Sequence, residues 1–376
     1  METSGGDNEL NSTPWTVMTY NDATSEATSI NTTGDNIYLS PRSSTNYGYL
    51  QTLGAFDIAT AQYLYGVNTS YNSGDNEYAL NGNANGYTTI WDNGGHDTIN
   101  ADSASQPVVI DLRNATLKNE PGGGGFVSRH GNQYIGYTIA FNTTGNCIIE
   151  NAIGSNLSDN ITGNSVGNLI DGRAGADIMA GGQGNDTYVV DNDGDIVTEA
   201  ADSGIDLISS EITYETAENV ENLTLTGSNN INATGNDLAN ILNGNSANNI
   251  LNGKANVDTM AGGEGDDTYY VDNGLDVVNE LANQGKDQIF SSTTYTLPDN
   301  IENIGLTGSL SINATGNTLD NFLRGNIANN TLIGNSGNDG FHGGDGGVDI
   351  MIGGPGDDTY LIESSTDQPI ERIGKE

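Results

Sequence analysis

The chain is poor in basic residues. Ten Lys and Arg stand against 50 Asp and Glu in 376 residues, a formal net charge of −40. Nucleic acids and anionic membrane surfaces are polyanions, so neither is expected as a partner, whereas cations are. Cys147 is the single cysteine, which excludes an intramolecular disulfide. With no second thiol to join, it reads as a small buried or idle residue. No stretch approaches 18 consecutive apolar residues, so no membrane-spanning helix is expected. Residues 1–15 have neither a basic start nor an apolar run, so no cleavable secretory signal is expected there. Apolar residues make up 34% of the chain. That is little for one large globular core, and a thin, repetitive one is expected instead.

What is present is repetition. GGQGNDTYV at 181–189 returns as GGEGDDTYY at 262–270 and GGPGDDTYL at 353–361. The first two copies are in register throughout: Asp195, Asp206, Tyr214 and Glu221 recur as Asp276, Asp287, Tyr295 and Glu302. Within each copy the chain counts in nines. Units open at Gly154, Gly163, Gly172 and Gly181, at Gly235, Gly244, Gly253 and Gly262, and at Gly316, Gly325, Gly334, Gly343 and Gly353. The sixth position is always acidic or its amide, one extra residue being allowed in the unit at Gly343. Asp159, Asp177, Asp186, Asp258, Asp267, Asp339, Asp349 and Asp358 are acids; Asn168, Asn240, Asn249, Asn321 and Asn330 are amides. The eighth position is apolar or aromatic throughout, from Ile161 to Tyr360.

Glycine permits backbone turns of positive φ, and a short extended run around position eight would point one side chain inward. A single such unit buries nothing by itself, but stacked units form a parallel β-solenoid. With two units per turn, residues 18 apart lie above one another about 4.8 Å apart. Asp159 would then approach Asp177, and Asn168 would approach Asp186. Stacked carboxylates repel unless a cation lies between them, and carboxylate, amide and carbonyl oxygens suit Ca²⁺. The expected ligating turns are Gly172, Gly175 and Asp177; Gly181, Gly182, Gly184 and Asp186; Asp258; Gly262, Gly263, Gly265 and Asp267; Asp339; Gly343, Gly344 and Asp349; and Gly353, Gly354, Gly356 and Asp358, with Asp159 in the first block. The Asn positions read as uncharged rungs or weak ligands, which leaves on the order of four to seven ions in the rolls. The 45-residue spacers 190–234 and 271–315 are five units of nine long and are expected to continue as β-structure.

The amino-terminal third differs. Residues 53–66 read as a helix, with Phe56, Ala59, Tyr63 and Leu64 near one face. Asp92, Gly94, Gly95 and Asp97 form a further acidic glycine turn, outside the nonapeptide phase and so expected to be a separate site. His96, His130 and His342 are scattered through loop-like sequence with no Glu at catalytic spacing.

These units resemble the RTX nonapeptide GGxGxDxUx. The segments before them resemble the serralysin family of metzincin metalloproteases from its Met-turn onward. Thr16-Val17-Met18-Thr19-Tyr20 matches that turn, with Met18 under the zinc site and Tyr20 as a zinc ligand; Asp57, Ile58 and Leu64-Tyr65-Gly66 match the following helix. The resemblance implies a calcium site at Asn72, Gly74, Asn76, Asp92, Gly94, Gly95 and Asp97, and makes Glu150 a further calcium ligand. It also implies export by type I secretion machinery and an extracellular location. The family's H-E-x-x-H zinc helix does not precede Met18 here, so no catalytic residue is assigned. The chain alone is expected to be inactive, with Zn²⁺ and a peptide substrate relevant only if a missing half supplies that helix.

The expected fold is therefore mainly β. Residues 1–68 would be a small α+β remnant of a protease domain, 69–150 a β-rich calcium-binding connector, and 151–376 a parallel β-roll with blocks at 154–189, 235–270 and 316–361. The expected function is that of a secreted calcium-binding protein that folds on extracellular Ca²⁺ and supports the secretion and stability of a protease domain. Two alternatives stay open: the tail of a larger zinc endopeptidase, and a calcium-dependent adhesin or matrix stalk.

Overall fold

The computed structural model describes residues 30–33, 36–39, 49–50, 55–65, 71–82, 86–115, 127–131, 136–141 and 147–371. Met18 and Tyr20 lie outside them. The chain divides into two compact units, Met1–Gly204 and Ile205–Glu376. Each is built on a parallel β-solenoid, and among the described residues helix is confined to Ala55–Tyr65. No helix there is long and apolar enough to cross a membrane.

In the first unit one stack runs through Glu77–Ala79, Thr98–Asn100, Asn151–Ile153, Leu169–Asp171 and Thr187–Val190, every pairing parallel. A second stack runs through Val108–Asp111, Asn160–Thr162, Ile178–Ala180 and Ile196–Thr198. Asn151 faces Leu169 and Asn160 faces Ile178, so one turn holds two nonapeptides, as the spacing requires. The central residue of each three-residue strand points inward: Ala152, Ile161, Ile170 and Met179 are all fully buried. Burying a side chain the size of Ile or Met contributes about 1.5–3 kcal/mol. Twelve of the thirteen position-eight residues are buried in this way, and Tyr360 is only partly covered.

The parallel stack begins well before residue 151. Thr98–Asn100 sits in register with Asn151–Ile153 although about fifty residues separate them. Part of that separation is an antiparallel excursion, Val108–Asp111 to Val127–His130 to Gly136–Ile139. The turn at Asp92–Asp97, out of phase in the sequence, is thereby stacked directly on the roll.

The helix expected over 53–66 spans Ala55–Tyr65. Its packing differs from the sequence reading: Tyr63 and Leu64 are exposed, while Gln62 is buried and donates from Nε2 to the Phe141 carbonyl at 3.5 Å.

In the second unit the spacers do continue the solenoid. Leu207–Ser210, Asn222–Leu225, Ile241–Asn243, Thr259–Ala261 and Val277–Val278 form one parallel stack. Another runs from Tyr214–Glu215 through Thr268–Val271, Gln288–Ser291 and Asn303–Leu306 to Thr359–Leu361. The spacer turns are not uniform. Thr268 pairs Gln288, Gln288 pairs Asn303, and Asn303 pairs Phe322, giving turns of 20, 15 and 19 residues. Together these equal three turns of 18, which is why the 81-residue repeat keeps its phase.

Candidate metal centres of the roll

The sixth-position side chains form a ladder along each roll. The backbone N–H of one rung donates to Oδ1 of the rung one turn later: Asp159 to Asp177 at 2.7 Å, Asn240 to Asp258 at 2.8 Å, Asn249 to Asp267 at 2.6 Å, and Asn321 to Asp339 at 2.8 Å. Asn168 donates to Asp186 in the same way, at 2.6 Å. Each rung also lies across the glycine that opens its own unit. A Cβ at Gly172, Gly253, Gly262 or Gly334 would come closer than 3.0 Å to the carboxylate of Asp177, Asp258, Asp267 or Asp339. Position one is therefore glycine because the rung occupies the space a side chain would need.

The rungs divide into two chemical kinds. An Asn rung satisfies itself. Asn249 Oδ1 accepts from the Asn245 N–H at 2.8 Å, and its Nδ2 donates to the Ile231 carbonyl at 2.6 Å. Asn168, Asn240, Asn321 and Asn330 repeat both bonds. An Asp rung does not satisfy itself. Oδ2 of Asp177, Asp258, Asp267, Asp339, Asp349 and Asp358 is buried and meets no hydrogen-bond donor. Asp159 stands apart, its oxygens taken by Ser155 N–H and Oγ and by the Val108 N–H.

The backbone separates the same two kinds. The residue after the opening glycine has positive φ in units with an unsatisfied Asp rung: Arg173 (61°), Lys254 (63°), Gly263 (97°), Asn335 (77°), Gly344 (104°) and Gly354 (118°). Gly182, in the Asp186 unit, shares this at 108°. Among the Asn rungs that residue is Asn164, Asn236, Asn245, Asn317 or Asn326, none of which has positive φ. In those units its N–H bonds the rung, and its own Oδ1 accepts from the residue two further on, as in Asn245 to Ala247 at 3.0 Å. Where the Asp rung is unsatisfied, the turn has changed hand and its N–H no longer reaches the carboxylate; at Asp159, Ser155 keeps the other hand and its N–H still bonds the rung. Asn335 takes positive φ in the Asp339 unit, so Asn at position two does not by itself fix the hand of the turn.

Burial is the main cause of raised acid constants here, with neighbouring carboxylates adding and backbone N–H bonds opposing. Asp177 and Asp267 are pushed up to about 7, and Asp258 and Asp339 to about 6. A buried, charged oxygen without a donor is costly. A hard divalent cation held by carboxylate and turn-carbonyl oxygens would relieve that cost, so the donor set fits Ca²⁺.

The amino-terminal acidic turn is assembled as well. Asn93 N–H donates to the Asn72 carbonyl at 3.0 Å, Asn76 N–H to Asp97 Oδ1 at 2.8 Å, and Asp97 N–H to Glu150 Oε2 at 2.8 Å. A Cβ at Gly95 would strike the Gly74 carbonyl, and Gly94 N–H donates to Asp92 Oδ1 at 3.1 Å. Asp97 Oδ2 is buried with no donor, and burial raises its carboxyl to about 7. The eight residues anticipated here are thus brought together, with Glu150 as a rung of the same ladder. No histidine joins a cluster of three metal-ligating groups among the described residues.

Sequence reasoning overlooked the acids that end the ladders. Asp195, Asp276 and Asp367 each accept the last rung's N–H on Oδ1, at 3.0, 3.1 and 3.4 Å, and their own turn's N–H groups on Oδ2. Asp287 carries another ladder on to Glu302, accepting from the Asp267 N–H at 2.8 Å and donating its own N–H to Glu302 at 2.8 Å. The recurrence of Asp195 as Asp276 and of Asp206 as Asp287, 81 residues on, was the available signal.

The comparisons agree with this geometry. The RTX calcium-binding nonapeptide repeat matches in four copies, at residues 153–188, 234–278, 315–347 and 344–360. The chain therefore carries RTX calcium-binding repeats on a β-roll. It is 45% identical to endo-1,3-1,4-beta-glycanase ExsH of Rhizobium meliloti (strain 1021) over 18% of this chain and 14% of that protein. It is 34% identical to serralysin of Proteus mirabilis over 20% of this chain and 22% of the relative. A second Rhizobium meliloti glycanase, EglC, is 37% identical over 18% of this chain and 14% of its own length. The chain thus spans less than a quarter of the curated relatives it matches.

Proposed function

We propose that this chain is a secreted calcium-dependent folding module whose acidic rungs hold the ions. The carrying observation is the division of the rungs. Asn positions close their own hydrogen bonds, while Asp positions leave a buried oxygen that only a cation or a proton can satisfy. In low calcium the −40 charge and the stacked carboxylates oppose compaction. Outside the cell calcium neutralises the turns, and its binding free energy becomes folding free energy. Affinities of about 10⁻⁴–10⁻³ M suit such extracellular modules. The ligating residues would be the Asp rungs with the carbonyls of their glycine turns, joined by Asp92, Asp97 and Glu150 in the first unit.

Far-UV circular dichroism of the 376-residue chain, in chelator and then in millimolar Ca²⁺, tests this. A large gain of β signal with calcium is expected. Identical spectra in the two conditions would overturn ion-gated folding.

A second reading has its own support in the similarity to serralysin. In it the chain completes a larger zinc-dependent peptidase, is exported by type I machinery, and places Met18 and Tyr20 beside a zinc helix supplied from elsewhere. The relatives named as glycanases show that this kind of segment also accompanies another chemistry, so the roll itself fixes no substrate. Casein cleavage that appears only when this chain is joined to a segment bearing the H-E-x-x-H helix, and is lost on zinc chelation, would give this reading precedence.

A further inference from the structure

Asp267, Glu280 and Asp287 lie outside any complete nonapeptide pattern as a set, because two of them belong to the spacer. All three are buried, and each offers a carboxylate oxygen within 4.8 Å of the others. Asp267 Oδ1 accepts from Asn249 N–H at 2.6 Å, and Asp287 Oδ1 from Asp267 N–H at 2.8 Å. Glu280 Oε1 accepts from the Tyr269 hydroxyl and, at 3.3 Å, from the Gly262 N–H. Two oxygens are left over. Asp267 Oδ2 and Glu280 Oε2 are buried with no donor, on residues only 1% and 9% exposed. No Lys, Arg or His forms an ion pair with the three acids among the described residues.

We propose that Asp267, Glu280 and Asp287 form a tricarboxylate Ca²⁺ site that closes the second repeat block, two spacer carboxylates joining the block's last Asp rung. When ionised, three buried carboxylates without a counter-charge are best relieved by a divalent cation. Carboxylate oxygens that all lie within 4.8 Å of one another are within reach of one Ca²⁺ with bonds of about 2.3–2.6 Å, and the all-oxygen donor set suits that ion. Tyr269 fixes Glu280 by its hydroxyl, so the glutamate from the spacer is oriented before the ion arrives. The third block supplies a contrast: Tyr360 donates to Glu371 at 3.0 Å with the same eleven-residue spacing, but there the pair is exposed. This site rests on the calcium reading above and adds ligands to it that no nonapeptide contains.

The test is equilibrium dialysis of the full chain against radiocalcium, paired with Tb³⁺ emission excited through tyrosine. Glu280→Gln keeps an acceptor for Tyr269 and removes the charge. It is expected to bind one ion fewer per chain, or to bind it at least tenfold more weakly, and to lose part of the sensitised emission. Tyr269→Phe should keep the ion count while losing emission, and Glu371→Gln should change neither. Asp287→Asn is the second variant if Glu280→Gln does not reach the wild-type circular dichroism spectrum in calcium. Unchanged ion count and affinity in the folded variant overturn the site alone. Absence of calcium binding by the wild-type chain overturns the site and the functional reading together.

Discussion

The Asn249 N–H donates to Oδ1 of Asp267 at 2.6 Å, eighteen residues on, while the other oxygen of Asp267 is buried without a donor. Asn249 itself lacks nothing, since its amide bonds both its own turn and the turn before. Two rungs of one ladder thus carry opposite requirements, and the difference is a single atom.

That difference gives a direct exchange test. Asp258→Asn places on a calcium-type rung the amide that Asn240 uses to satisfy itself. In chelator the variant should be more stable than the wild type by about 1–3 kcal/mol, the cost of an unmatched buried polar group. In calcium it should bind fewer ions or bind them more weakly. Urea midpoints in the two conditions read both effects. A variant less stable in chelator would show that the carboxylate is not a liability in the ion-free fold.

The acid constants fix the sign of the pH dependence. Asp177 and Asp267 rise to about 7 in the fold, and Asp258 and Asp339 to about 6, from an unfolded value of 3.8. A raised carboxyl binds more protons folded than unfolded. Its contribution to the ion-free fold is therefore complete below about 4 and is lost as pH rises through about 6–7. In chelator, β signal and thermal midpoint should climb as pH falls from 8 to 5. In limiting calcium the order reverses over the same window, because protons compete for the oxygens that hold the ion. Ion-free stability that increased towards pH 8 would contradict the burial of these groups.

The opening glycines make a steric prediction. Gly262→Ala puts a methyl against Asp267 and the Tyr269 hydroxyl, both closer than 3.0 Å, at a φ outside the left-handed region. Gly74→Ala meets nothing within 4 Å. Overpacking of this kind costs about 1–3 kcal/mol. The first variant should therefore lower the melting temperature in calcium by several degrees, with the second close to wild type. Equal melting temperatures would mean that the rung does not lie over its glycine.

Much of this was legible in the sequence because a solenoid translates period directly into contact. The count of nines located the inward column, and the count of 18 located Asp177 above Asp159. The spacers were harder. Their strand spacings of 20, 15 and 19 residues cancel only in sum, so nothing in a nine-residue register reveals them. The Asp92–Asp97 turn looked separate because the excursion from Val108 to Ile139 interrupts the phase, and only hydrogen bonding across that gap shows Thr98 beside Asn151. The two kinds of rung were written in the sequence all along, as Asn at both positions two and six against Asp at six. Their meaning depends on whether a buried oxygen finds a donor, which a residue pattern does not state. The face of the Ala55–Tyr65 helix was misread for a related reason: periodicity alone did not show that Gln62 has a carbonyl to bond at Phe141.

The single thiol offers the last test, and it reports on the first unit alone. Cys147 is 1% exposed, and its sulfur accepts the Asp92 N–H at 3.4 Å, directly beneath the amino-terminal acidic turn. Burial pushes the thiol up to about 12. A protonated, covered thiol reacts slowly, since the thiolate is the nucleophile. If Asp92, Asp97 and Glu150 need an ion to stay folded, removing calcium must open this turn and expose Cys147. Modification by an aromatic disulfide reagent should then be at least about a hundredfold faster in chelator than in millimolar calcium, as local opening controls the rate. Asp97→Asn should narrow that gap, because the amide can donate where the carboxylate cannot. Equal rates in the two conditions would detach this turn from calcium, whatever the nonapeptide blocks do.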